Sequence, residues 1–449
     1  MAEKKVALLV DNRTRDLAVS VLIAHHLGQL GVEAELQPLE AYRAVLAAFK
    51  PAMVVINHLT ASHLVRWSHR LKELGVLVAV LPNEGLIYDA DDLRFAAGRY
   101  HNHAHIDHFF TWNEAHRDAL YAAGFNNRTQ IHLVGVPRFD FYFQPWSRLF
   151  ARDGVPHPRP QVLCCTNFVF AKFQDLPRIE GEKFLQVFRR MPKYQNPWEL
   201  VEVNHRCRQR SLQFFEKLLA ASQFDVLLRP HPHEDANFYR VWAERLPADL
   251  RSRLRIDNTT NITRLILECD VEVSCESCTT ALESWIAGKP TVELTFERHP
   301  SYFHPDVGAL NNLCEDPAQL AKMVEKALHE PPPASVQAAR REHLRQWCNA
   351  PSGKSAEAIA GIIHRAVSDA RPSFGSLTAS DYRRGLTLRA FNSVGWRCNY
   401  DPLLFLKRRL FPGAYAIKQH VHEKAIIPRD VSEARLQLKQ ALDSPATKT

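Results

Sequence analysis

The sequence predicts two doubly wound α/β domains in tandem, each a mostly parallel sheet covered by helices on both faces, followed by a basic extension. Three observations predict this. Short, nearly continuous apolar runs alternate with amphipathic stretches of helical period along residues 6–370, the pattern of parallel strands buried on both faces. The chain has 449 residues, about three times the usual ~150-residue domain. A proline-rich link, Val155-Pro156-His157-Pro158-Arg159-Pro160, divides the alternation into two series.

In the first series the apolar run at 6–10 reads as a strand. An amphipathic stretch at 16–30 reads as a helix closed by Gly31, since glycine favours the left-handed cap. Strands follow at 34–39, 53–59, 76–82, 108–112 and 130–135. Helices follow at 40–50, 61–74, from near Asp89, and at 113–123. The second series begins with a strand at 161–166 and a helical or irregular insert reaching about Asn204. Helices are expected at 207–220, 238–246, 261–269 and 279–287, with strands at 225–229, 253–257, 271–275 and 291–295. Helices at 318–328, 336–347 and 354–367 close it. The expected domains are 1–150 and 161–370, with the extension at 371–449.

Composition excludes several classes. Hydrophobic residues make up 46% and charged residues 24% of the chain, which suits a globular protein and rules out overall disorder or collagen. No run approaches the ~18 apolar residues of a spanning helix. The run after Met1-Ala2-Glu3-Lys4-Lys5 is too short for a signal-peptide core and lacks a cleavage site. The expectation is a cytoplasmic protein. Nine scattered cysteines, an odd number, point to reduced thiols.

Charge is uneven. The chain holds 57 Lys/Arg and 49 Asp/Glu, and 14 and 6 of these fall in residues 371–449, so the extension carries the whole excess of +8. Its basic residues, Arg383-Arg384 and Lys407-Arg408-Arg409 among them, are interleaved with Trp396, Tyr400, Phe405 and Phe411. Such a segment suits an anionic membrane surface, at about 1 kcal/mol per basic residue near the headgroups, or a solvated extension packed on the body. No nucleic-acid module is recognisable, so nucleic acid is not an expected partner.

In open α/β sheets ligands bind outside the carboxyl ends of the strands. In the first domain those positions hold Asp11-Asn12, Asn57-His58, Asn83-Glu84-Gly85, Trp112-Asn113-Glu114 and Gly135-Val136-Pro137-Arg138. In the second they hold Thr166-Asn167, His231-Pro232-His233, Asp257-Asn258 and Glu276-Ser277-Cys278-Thr279-Thr280, with Arg229-Pro230 ending the strand before His231. Ser277 to Thr280 open a helix, where hydroxyls and free backbone N–H groups suit an anion; an ordinary helix cap has the same composition. His231, fixed between two prolines, is placed to donate to a phosphate. Together the two form a candidate phosphate clamp. Glu84 beside Gly85 is a candidate general base, although a lone acid after a strand also serves as a cap.

Other signals lead elsewhere. His101, His103, His105 and His108 with Asp107 match no common zinc spacing. Cys275-Glu276-Ser277-Cys278 sits in an element order unlike that of redox Cys-x-x-Cys pairs, and Cys164-Cys165 reads as strand filler. Neither first βα turn carries Gly-x-Gly-x-x-Gly, and no Gly-x-Ser-x-Gly or Walker motif appears.

The set Val6–Asn12, Asn83-Glu84-Gly85, Phe110-Thr111-Trp112-Asn113-Glu114-Ala115, Gly135-Val136-Pro137-Arg138-Phe139-Asp140, Arg229-Pro230-His231-Pro232 and Ser277-Cys278-Thr279-Thr280-Ala281-Leu282-Glu283 resembles a bacterial family of surface carbohydrate (capsule and lipopolysaccharide) biosynthesis proteins. The resemblance spans most of residues 4–370. It implies a GT-B glycosyltransferase, with two Rossmann-like domains facing across a cleft, the first on the acceptor side and the second binding the nucleotide sugar. It is similar to transferases of CMP-activated acidic sugars such as Kdo and sialic acid.

Carried over, Glu84 matches the second acid of an acidic-acidic-Gly motif, whose first position here is Asn83. His231-Pro232 matches the His-Pro pair, and Ser277, Cys278, Thr279 and Thr280 match the hydroxyl motif. The last two would hold the CMP phosphate and ribose. Arg138 and Arg229 are candidate partners of the donor carboxylate. If the reaction retains configuration, Asp175, Glu199 and Glu202 in the insert are the candidate nucleophiles. No dense carboxylate pair suggests a divalent metal, so no metal or cofactor is expected beyond the nucleotide-sugar donor. The acceptor would be a glycan or lipid-linked saccharide at the inner face of the cytoplasmic membrane. The alternatives are a UDP-sugar 2-epimerase or a polyol-phosphate transferase on the same scaffold, and a non-catalytic scaffold protein.

Overall fold

The computed structural model describes residues 4–101, 104–125, 128–151, 158–186, 188–396, 406, 409–411 and 424–443. The chain divides into two compact units. The first comprises Met1–Ile87, Ala96–Asp140 and Gln346–Thr449; the second comprises Tyr88–Phe95 and Phe141–Arg345.

The first unit is built on strands β1 (Lys5–Val10), β2 (Glu33–Pro38), β3 (Met53–Ile56), β4 (Leu77–Val80), β5 (His108–Thr111) and β6 (Gln130–Leu133). They form a six-stranded sheet in the order β2-β1-β3-β4-β5-β6, and the pairs are parallel. The apolar runs are continuous because both faces are covered: Val6 to Val10, Val54, Ile56, Val78, Val80 and Phe109 are all buried. Helix Arg13–Gln29 returns the chain from β1 to β2. Asn12 starts it by accepting from the Thr14 and Arg15 N–H groups, which satisfies two of the free amides of its first turn.

The second unit holds β7 (Gln161–Cys165), β8 (Asp225–Arg229), β9 (Leu254–Ile256), β10 (Val271–Cys275), β11 (Thr291–Leu294) and β12 (Asn312–Cys314). Its order is β12-β11-β10-β7-β8-β9, again parallel. This is the Rossmann order, and its direction reverses between β7 and β10. In the first unit the reversal lies between β1 and β3. Ligands of doubly wound sheets occupy the crevice at such reversals.

The fold class matches the expectation, and several elements differ. Strand β12 was not expected. The segment expected as one helix at 40–50 forms a 3-10 turn Leu39–Ala41 and a short helix Val45–Phe49. Helix Pro197–Ala221 takes in the end of the supposed insert, beginning at a proline whose missing N–H costs nothing in the first turn. The part 155–157 of the proline-rich link lies outside the described residues.

The expected 161–370 boundary requires correction. Helix Ser355–Asp369 belongs to the first unit, where it packs against Arg13–Gln29 and buries Ala356, Ile359, Ala360, Ile363 and Val367. Buried Asp140 accepts from the Ser355 N–H (3.1 Å) and the Ala356 N–H (2.7 Å). The apolar period of that helix shows that it is buried but not against which sheet.

The described parts of the extension pack on the first unit. Helix Ala379–Val394 opens with a Thr378/Asp381 capping box and lies on Val45–Phe49. Gly385 permits the approach, since a Cβ there would lie 3.0 Å from the Ala47 Cβ and the Ala48 N. Helix Pro428–Asp443 lies against Arg13–Gln29, with an Arg13–Asp430 ion pair. Tyr400, Phe405, Lys407 and Arg408 lie outside the described residues. No helix of the described residues is long and apolar enough to cross a membrane.

Candidate functional site

In the second unit the turn after β8 is organised by a residue that sequence reasoning missed. Buried Glu234 accepts from the Thr166 hydroxyl (2.8 Å), the Phe168 N–H (3.0 Å), the His231 N–H (3.1 Å) and the Tyr239 hydroxyl (2.6 Å). One carboxyl group thus ties the end of β7 to the His-Pro turn after β8. Burial pushes its pKa up, and the four hydrogen bonds act against that shift. The signal was present in His231-Pro232-His233-Glu234, where an acid closes a proline-restricted turn.

His231 is oriented through its ring. Its Nδ1 accepts from the His233 N–H at 3.1 Å, so the proton of the neutral ring sits on Nε2. Burial first, then His233, Arg229 and Lys172, lower its pKa to about 4. At neutral pH the ring is therefore uncharged and donates through Nε2. Lys172 adds a cation beside the turn, donating to the His233 carbonyl at 2.8 Å. Arg229 is buried, donates to the Pro230 carbonyl at 3.1 Å, and keeps its Nε without a partner.

The Ser277–Thr280 segment follows β10, on the other side of β7 from β8. Two strand spacings set the two loops about 10 Å apart along the carboxyl edge. Glu276 and Ser277 both take positive φ, 44° and 60°. The Glu276 carboxylate accepts from the Phe296, Glu297 and Arg298 N–H groups at 2.9 to 3.0 Å. The hydroxyls of the segment divide in role. Ser277 Oγ accepts from the His304 N–H at 2.9 Å, and Thr280 Oγ1 donates to buried Glu272 at 2.7 Å. Both are engaged inside the unit. Thr279 is half-buried at the start of helix Thr279–Ile286. Cys278 is the cap residue without a side-chain cap bond, and burial pushes its thiol up to about 11.

The candidate nucleophiles of the insert are exposed. Asp175 pairs with Arg208 at 3.2 Å and Glu199 with His299 at 3.5 Å, while Glu202 lies on the exposed face of Pro197–Ala221.

In the first unit a narrow cleft runs along the carboxyl ends of β1, β3 and β4, lined among others by Arg15, Asp16, Asn57, Asn83, Trp112 and Arg138. Buried Asp16 accepts from Arg15 Nε (2.7 Å), the Asn12 N–H (3.0 Å) and Asn83 Nδ2 (3.0 Å). Burial raises its pKa against the pull of Arg15. Arg15 also reaches Glu84 at 3.2 Å, and the Glu84 side chain is 82% exposed. Arg138 stacks on Trp112, 5.2 Å from the ring centroid, and Nη1 donates to the Asn83 carbonyl at 3.5 Å.

Gly85 makes room for an indole: a Cβ there would lie 2.9 Å from Trp112 Cδ2. Asn113 donates to the Gly85 carbonyl at 3.1 Å and accepts from the His116 N–H at 2.8 Å. The Trp112-Asn113 motif therefore holds the Asn83-Glu84-Gly85 loop in place. On the edge of β1, Asp11 pairs with Lys424 of the extension at 2.7 Å.

Two other sequence signals find local partners. His105 pairs with Asp107 at 3.1 Å and His108 with His132 at 3.0 Å; His103 and the His101 side chain lie outside the described residues. Cys164, Cys165, Cys275 and Cys278 are free and buried. Among the described residues no group of three His, Cys, Asp or Glu is arranged to hold a metal ion.

Two Rossmann-like units with polar groups gathered at the carboxyl edges define a GT-B type scaffold. The profile of the LIC12162 family transferase matches residues 156–355. Among solved structures, a UDP-N-acetylglucosamine 2-epimerase is similar at 12% identity and a TM-score of 0.50, covering 84% of this chain and 100% of that one. The wall teichoic acid polymerase TagF has 13% identity and a TM-score of 0.49, over 82% of this chain and 89% of that one. The spinosyn forosaminyltransferase SpnP has 11% identity and a TM-score of 0.43, over 82% and 100%. No curated protein matches the sequence. The epimerase likeness concerns the fold, and the family profile describes a transferase.

Proposed function

We propose that this chain is a glycosyltransferase that takes a sugar from a nucleotide-activated donor, a CMP-linked acidic sugar in the first instance, and passes it to a glycan or lipid-linked acceptor of bacterial surface polysaccharide. The carrying observation is His231, fixed with its proton on Nε2 by His233 while Glu234 binds the turn to β7. A neutral donor held at the carboxyl edge of a Rossmann-ordered sheet suits a phosphate leaving group.

In the transfer the anomeric C–O bond breaks and the nucleotide phosphate leaves with the electron pair. His231 Nε2–H and the amides opening helix Thr279–Ile286 stabilise the developing charge. Thr279 has the hydroxyl nearest to that role, because those of Ser277 and Thr280 are engaged internally. On the first unit, Glu84, held by Arg15, is the candidate to take the acceptor hydroxyl's proton as that oxygen bonds to the anomeric carbon, and Arg138 is the candidate for the donor carboxylate. The reading needs no metal. The basic extension brings the enzyme to an anionic membrane surface.

Calorimetric titration with CMP, CDP and UDP tests the reading. Binding of CMP that weakens at least tenfold in His231→Ala is expected. Preference for UDP would favour the 2-epimerase reading, preference for CDP the polyol-phosphate transferase, and no nucleotide binding the non-catalytic scaffold.

A further inference from the structure

The second unit has a second polar cavity, on the opposite edge of its sheet. A pocket of about 420 Å³ lies at the amino end of β11. Its walls come from the end of helix Thr279–Ile286, the Lys289-Pro290 turn, the Pro331-Pro332 turn, and helices Leu320–His329 and Ala334–Cys348. The charged residues lining it are Lys289, His329, Arg340 and Arg341, and no carboxylate lines it. Trp285, Pro290, Leu328 and Leu344 give it an apolar side.

Arg340 is the informative member. It is 7% exposed, lies 4.9 Å from the Trp285 ring centroid, and donates from Nε to the Leu310 carbonyl (2.9 Å) and from Nη2 to Thr291 Oγ1 (3.1 Å). Both acceptors are neutral. Burial alone lowers its pKa to about 10, with no carboxylate offsetting the loss of solvation. An unpaired buried charge is costly. Lys289 likewise donates to a neutral group, the Cys269 carbonyl, at 2.6 Å. Arg341 is exposed and forms no ion pair among the described residues. His329 pairs with Glu325, so the charge that faces the pocket comes from Lys289, Arg340 and Arg341.

We infer that this pocket binds a small phosphorylated molecule, its anionic group between Lys289, Arg340 and Arg341 and its apolar part along Trp285 and Leu328. The site is separate from the phosphate clamp after β8, because it lies at the amino rather than the carboxyl end of the strands. Planar guanidinium groups suit phosphate oxygens by paired hydrogen bonds, and the mixed walls suit a bound organic molecule.

Inorganic pyrophosphate is the probe, titrated into the full chain by calorimetry at low salt. Three proteins are compared: wild type, His231→Ala, and Lys289→Gln/Arg341→Gln. The double variant leaves the buried Arg340 contacts in place, and its circular dichroism checks the fold. Saturable binding that persists in His231→Ala and weakens at least tenfold in the double variant is expected. Binding lost in His231→Ala but kept in the double variant, or no saturable binding in a folded wild type, overturns the site. The His231 arm separates this outcome from failure of the transferase reading.

Discussion

Glu272 gives the sharpest test of the buried chemistry beneath the Ser277–Thr280 segment. It is wholly buried on β10, and one oxygen accepts from Thr280 at 2.7 Å. Burial, then the nearby Glu293 and Glu283, raise its pKa from 4.5 to about 8. The folded state therefore keeps a proton that the unfolded chain releases near pH 4.5. Stability from this group is complete below pH 4.5 and is lost as the pH rises toward 8. At about 1.4 kcal/mol per pH unit, that window costs about 4–5 kcal/mol. Glu272→Gln keeps the acceptor for Thr280 and removes the titration. Urea melts at pH 5, 6.5, 8 and 9 should show the variant and wild type close at pH 5, with the variant ahead by several kcal/mol at pH 8 and above. Equal pH slopes in the two proteins would falsify the assignment of a buried, protonated Glu272.

Three further outcomes are expected. Because His231 stays neutral down to about pH 4, the acid limb of transferase activity should lie below pH 5; a break near pH 6.5 that disappears in His231→Gln would contradict its placement. Glu234→Ala strands three donors, the Thr166 hydroxyl and the Phe168 and His231 amides, while the Tyr239 hydroxyl keeps Thr166 Oγ1 at 3.2 Å. At about 1–3 kcal/mol per unmet buried group, thermal or urea unfolding should show a loss of at least about 3 kcal/mol. Glu234→Gln should keep the fold but weaken nucleotide binding severalfold, and unchanged binding would sink the turn's role. On helix Ala379–Val394, Leu386 and Val394 are 67% and 70% exposed. Replacing both with Glu should cut cosedimentation with anionic liposomes severalfold without lowering the melting temperature. Full truncation at 371 is a poorer experiment, since Leu388 is buried in the core of the first unit.

The strands were legible because burial on both faces leaves a continuous apolar run, as at Val6 to Val10. The edge positions were legible for the same reason: each run stops where polar residues begin. What the sequence withheld depends on which element packs on which. The period of helix Ser355–Asp369 says nothing about its partner; its packing on Arg13–Gln29 and the Asp140 bonds to its first amides reveal the link to the first unit. Likewise, Ser277 and Thr280 read as ligand groups because their spacing was visible, while the acceptors and donors that occupy them, Glu272 and the His304 backbone, lie elsewhere in the chain. Glu234 was overlooked because a glutamate after a turn is common, and its four partners come from three separate segments.

Asn83 looks like a lost acid when set against the acidic-acidic-Gly motif, and the geometry gives a different account. Its amide donates to Asp16 at 3.0 Å. A carboxylate at 83 would place two anions at that distance, and one would have to take up a proton. Asp16, from helix Arg13–Gln29, instead holds Arg15 through Nε. Arg15 in turn holds Glu84 at 3.2 Å. Asp16 is buried and fully hydrogen-bonded to its neighbours, whereas Glu84 is exposed and free to meet an acceptor hydroxyl. On the proposed reading, Asp16 and Asn83 would position the Arg15–Glu84 pair, and Glu84 would be the group that accepts the proton.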